Sequence, residues 1–214
     1  MLRHLLPLVV VFATGCAASS AQVVSSSSGP SVREAQMAPY NGPKQRVAVS
    51  SFSGGPAGIG TGLTDMLMDS LVNTNRFIVL ERERLHEVTE EQDLSNSGRF
   101  KKETAVPMGQ MEGAQLLVRG SVTEFATDCK GGSIIVASSK TACIAINLRI
   151  IDAATGRVVN ATTVEGTSNN TGVGLVYTSP SLPIGLGAYS KTPMEAAMRN
   201  CIETAVQYIA NTKL

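Results

Sequence analysis

"CIAINLRIIDAATGRVVNATTVEG", Cys143 to Gly166, carries the clearest strand pattern in the chain. Ile144, Ile146 and Leu148 alternate with Cys143, Ala145, Asn147 and Arg149, and a period of two puts each set on its own face of a strand. "DAATG" then breaks the pattern with turn-forming residues, and "RVVNATTVEG" resumes the alternation. Two alternating runs joined by so short a link predict an antiparallel hairpin.

Working outward, "AQLLVRGSVTEF" (114–125) reads as a long strand ahead of that hairpin. "RVAVSSF" (46–52) places Val47, Val49 and Ser51 on one face and Ala48, Ser50 and Phe52 on the other, as in a strand covered on both sides. Leu63, Met66, Leu67 and Leu71 form one helical stripe, ended by "NTN" at 73–75. Phe77 to Leu80 makes a short strand leading into a charged helix with only Leu85 and Val88 facing inward, and 93–113 is a polar loop with at most a short helix. In the last segment, Thr192 and Glu195 have capping-box spacing around Pro193. There Met194, Ala197, Met198, Cys201, Ile202, Ala205, Tyr208 and Ile209 line one face, with Cys201 as a core thiol. The order β-α-β-α-β-β-β-α predicts an α/β sandwich on a mixed sheet rather than a doubly wound nucleotide fold.

"SSFSGGPAGIGTG" (50–62) occupies the strand-to-helix turn where phosphate loops sit. A Walker loop requires Lys and Ser or Thr after its last glycine, but Leu63 and Thr64 follow Gly62; a dinucleotide fingerprint beginning at Gly58 and Gly60 requires glycine where Leu63 stands. The loop therefore reads as a glycine turn into a helix, and no cofactor is expected.

With His4 lost in the leader, His86 is the only imidazole, so a multi-histidine metal site is excluded. Glu83 and His86 have Glu-x-x-His spacing, but a carboxylate-bridged centre needs a second such motif; they read as solvated charges. No Gly-x-Ser-x-Gly elbow is present. The chain does not read as an enzyme.

The first residues, "MLRHLLPLVVVFATGCAAS", carry Arg3 and an apolar run from Leu5 to Phe12, too short for a membrane span. "FATGC" resembles the lipobox of bacterial lipoproteins, with Cys16 as the lipidated residue; a plain secretory signal cut at another small residue is the competing reading. Ala17 lacks the aspartate that retains lipoproteins in the inner membrane, so the resemblance implies the periplasmic face of the outer membrane. Residues 1–15 are then a signal peptide, 16–45 a flexible tether rich in Ser, Ala, Gly and Pro, and 46–214 the folded domain. The 18 basic side chains less Arg3 balance the 17 acidic ones, so no net field favours nucleic acid.

"RVAV", "RFIVLERERLHEVTEEQDLSNSG", "GAQLLVRGSVTEF", "NLRIIDAATGRVV" and "CIETAVQYI" resemble, in order, the blocks of the CsgG/HfaB family of curli-secretion and holdfast-attachment lipoproteins. The resemblance implies an α/β periplasmic domain related to TolB-like folds and a lipid anchor in the membrane. It implies a homo-oligomeric ring whose subunits each add two β-hairpins to a secretion barrel, and partners among other envelope or surface-fibre assembly proteins. Two features depart from the pore-forming pattern. The segment 53–62 lacks the Tyr, Asn and Phe side chains that narrow the channel, and the second hairpin segment, Thr167 to Thr192, contains Pro180 and Pro183, which cannot donate ladder hydrogen bonds. A non-pore periplasmic scaffold is therefore the alternative to an oligomeric channel. In the first hairpin segment, Ala126 to Ile146, Cys129 and Cys143 fall on opposite arms, and a disulfide between them is expected in an oxidising compartment.

Overall fold

The computed structural model describes residues 19–23, 40–129, 132–134, 137–170 and 192–212. Its strands are β1 (Ser19–Val23), β2 (Gln45–Ser53), β3 (Phe77–Leu80), β4 (Leu116–Ala126), β5 (Gly132–Ile134), β6 (Ala137–Asp152) and β7 (Val158–Asn170), and its helices are α1 (Ile59–Asn73), α2 (Leu85–Ser95) and α3 (Pro193–Asn211).

The expected hairpin is the spine of the molecule. β6 and β7 pair antiparallel from Lys140↔Asn170 to Ile151↔Val158. Their turn is closed by Gly156 N–H donating to Asp152 O (2.8 Å) and by Thr155 N–H donating to the Asp152 carboxylate (2.8 Å). The Thr155 N–H first, and its hydroxyl second, donate to the Asp152 carboxylate and hold it below its ordinary pKa. β6 continues antiparallel onto β4, and β4 runs parallel to β2, which runs parallel to β3. The result is a mixed sheet in the order β1-β7-β6-β4-β2-β3, with β5 paired only to the start of β6.

One face of this sheet is covered by α1 and α3, which also touch each other. Val47 and Val49 of β2, Val118 and Val122 of β4, and Ile144, Ile146, Leu148 and Ile150 of β6 belong to the same core as Leu63, Leu67 and Leu71 of α1 and Met194, Met198 and Ile202 of α3. Every inward residue expected of the last helix is buried, and Val206 joins them. Thr192 caps α3 by accepting the Glu195 N–H at 3.4 Å.

The structure departs from expectation in four places. Ser19–Val23, inside the stretch read as tether, pairs antiparallel with β7, because β7 would otherwise end the sheet with its backbone groups unpaired. Phe52 lies in the same core as Val47 and Val49, since between Ser50 and Ser53 two residues of β2 face one of β4 and a bulge of one residue reverses the alternation. α1 begins at Ile59, four residues before its apolar stripe. Val88 is exposed, and Ser95 is the only buried residue of α2, which is solvated almost throughout.

Candidate assembly surface

The strand register gathers the distinctive segments at one end of the sheet. β2 and β4 are parallel, so the glycine turn after Ser53 and the exit of β4 at Ala126 share that end. β6 runs antiparallel and begins there, and β7 finishes there at Asn170. The Ser19↔Ser168 pairing brings the start of β1 to the same end. Cys16 and most of the second hairpin segment lie outside the described residues.

The glycine turn has a packing explanation. Gly54, Gly55 and Gly58 hold φ of 79°, 74° and 81°, values that non-glycine residues seldom adopt. A Cβ on Gly60 would stand 2.1 Å from the Phe52 carbonyl oxygen. That approach lets the Thr64 hydroxyl accept from Phe52 N–H (3.0 Å) while donating to Gly60 O (2.9 Å), fastening the first turn of α1 to the end of β2.

Beside this turn the structure brings Cys129 and Cys143 together in a disulfide with Cα atoms 5.8 Å apart. Ala126 is the last β4 residue paired with β6, opposite Cys143, and Cys129 N–H donates to Thr141 O at 2.8 Å. Beyond the cysteines, β5 is three residues long and pairs Gly132↔Ser139 to Ile134↔Ala137. The cysteines are 14 residues apart in sequence, whereas two membrane-spanning strands need about 9–11 residues each. The stretch between the cysteines alone is therefore shorter than two such strands.

The face of the sheet away from α1 and α3 is polar at its centre, where Arg119, Asn147 and Arg149 are exposed, while Ala48 and Ala145 on the same face are buried. Arg119 and Arg149 stand directly opposite each other on β4 and β6, both exposed, with the partly buried Leu117–Ile151 pair on one side. On the other side Thr163 donates to the Asn147 side chain at 2.7 Å. Nothing in their spacing along the chain marks the two arginines; only the register joins them.

Other sequence candidates are dispersed. His86 is exposed at the start of α2, and among the described residues no group of three metal-ligating side chains occurs. Cys201 is a free, buried thiol whose pKa is pushed up to about 12, by burial first and by the Glu165 carboxylate second, so it stays protonated and unreactive at neutral pH.

The model of the family described as "Curli production assembly/transport component CsgG" matches residues 34–214. The chain belongs to the CsgG family. Curated CsgG proteins of Salmonella typhimurium and Escherichia coli K12 are each 25% identical to it over 165 residues. Those matches cover 69% of this chain and 60% of each relative, so the chain aligns with less than two thirds of its relatives' length. Among solved structures it is similar to the hypothetical protein CT253 from Chlamydia trachomatis, with TM-score 0.49 and 13% identity over 78% of this chain and 96% of that one. It is also similar to the PelC dodecamer from Paraburkholderia phytofirmans, with TM-score 0.40 and 13% identity over 88% and 96%. The CsgG match begins at residue 34, beyond β1, so the N-terminal edge strand lies outside it.

Proposed function

We propose that this protein is a CsgG-type lipoprotein, anchored through Cys16 at the periplasmic face of the outer membrane, that serves as a homo-oligomeric scaffold in assembly or export of a surface structure. It performs no catalysis. Partners are other envelope or surface-fibre assembly proteins, and the Cys129–Cys143 disulfide forms in the oxidising periplasm.

The observation that carries the scaffold reading is the short first hairpin, its cysteines 14 residues apart. The glycine turn beside it, which lacks the Tyr, Asn and Phe side chains of the pore-forming constriction, supports the same reading. The second reading, an oligomeric secretion channel, is favoured by membership in a family described as assembly/transport. Conductance across planar bilayers separates the two. The purified full-length lipoprotein, added at concentrations where it associates with lipid, is expected to give no stepwise current. Uniform unitary steps that persist with the disulfide intact would establish the channel instead.

A further inference from the structure

We propose that the polar sheet face around Arg119 and Arg149 is the receiving half of a head-to-tail interface, and that its occupant is α2 of a second copy of this chain. The inference rests on the homo-oligomer in the function proposed above and assigns the surfaces that build it.

Like charges directly opposite one another on a sheet destabilise it. Yet Arg119 and Arg149 face each other and have no hydrogen-bond or ion-pair partner among the described residues. The other charges facing outward from these strands are Glu124 and Glu165, which lie beyond the Asn147–Thr163 bond toward the hairpin end. The arginines therefore lack a counter-charge, and the apolar Leu117–Ile151 pair beside them is incompletely covered.

α2 carries the complementary pattern. Glu87, Glu90, Glu91 and Leu94 recur at the spacing of a single helical face, and all four are exposed, Leu94 by 43%. No lysine or arginine falls within the helix. From Glu90 to Leu94 the helix rises about 6 Å; from the Arg119–Arg149 row to the Leu117–Ile151 row the strands advance about 7 Å. Leu94 can thus rest on Leu117 and Ile151 while the glutamates meet the two guanidinium groups.

The helix does not make this contact within its own molecule: Arg119 and Arg149 are exposed, and among the described residues no ion pair joins them to α2. A contact between two different surfaces of the same chain is heterologous, and it closes into a ring when the rotation permits.

Native mass spectrometry of the full-length lipoprotein released from detergent tests the assignment by charge exchange. Arg119→Glu/Arg149→Glu is expected to collapse the oligomer to monomer, and so is Glu87→Lys/Glu90→Lys/Glu91→Lys. An equimolar mixture of the two restores an oligomer of alternating subunits, which neither could enter if misfolded. Arg119→Gln/Arg149→Gln, without reversed charge, loses assembly only in part. A monomeric wild-type protein would overturn the homo-oligomer itself and this interface with it. A wild-type oligomer whose size survives both charge reversals, or two monomeric variants that stay apart on mixing, would overturn the interface alone.

Discussion

α3 and α2 are helices of one small domain built for opposite ends. α3 presents a continuous apolar face to the sheet and buries nine of its residues; α2 buries only Ser95 and shows water four acidic side chains, Glu87, Glu90, Glu91 and Asp93. Helical propensity does not separate them, because tertiary burial supplies most of a helix's stability in a protein. The difference teaches where to look for function: the covered half of the molecule holds the fold, and the other half, with α2, the polar sheet face and the hairpin end, has surfaces still available to partners.

Substitutions should divide along the same line. The largest effect is expected where α3 meets β7. A Cβ on Gly166 would lie 2.3 Å from Ala197 O and 2.7 Å from Cys201 Cβ, so Gly166→Val must push the helix off the sheet. It should cost more than about 4 kcal/mol, the range reserved for severe core lesions, read as loss of the cooperative thermal transition. Removing the hairpin disulfide with Cys129→Ser/Cys143→Ser should cost about 3 kcal/mol, the loop-entropy value for a closed loop near this length. Denaturant unfolding measures that loss, while far-UV dichroism stays unchanged. Thr192→Ala deletes the α3 cap and should cost about 1 kcal/mol by the same assay. Val88→Ser on the exposed flank of α2 should shift stability by no more than about 0.5 kcal/mol in either direction. If Val88→Ser proved as costly as the cap, α2 would be packed in solution and the contrast between the helices would fail.

Much of this division is legible in the sequence. The Cys143–Gly166 alternation gives the hairpin, and the apolar spacing from Met194 to Ile209 gives the buried face of α3, because in both cases every second or every third-to-fourth residue repeats the same demand for burial. The departures have causes that no local pattern carries. β1 is Ser-Ser-Ala-Gln-Val, unremarkable as a strand and paired because β7 has an open edge. The one-residue bulge that turns Phe52 inward depends on Gly120, where a Cβ would meet the Phe52 ring at 2.4 Å. The start of α1 runs through Gly60 and Gly62, poor helix formers held by Thr64. For the candidate surface, Cys129 and Cys143 were within reach once the strands flanking them were drawn, whereas Arg119 and Arg149 lie 30 residues apart and meet only through the β4–β6 register.

Negative-stain microscopy of the detergent-extracted full-length lipoprotein beside its unlipidated Cys16→Ser form would show whether the protein is a lipid-anchored oligomer without a barrel. Closed assemblies of the same outline are expected from both proteins, with no detergent-belted cylinder on either. A belted barrel on the lipidated form alone would contradict this reading and make the chain a channel subunit.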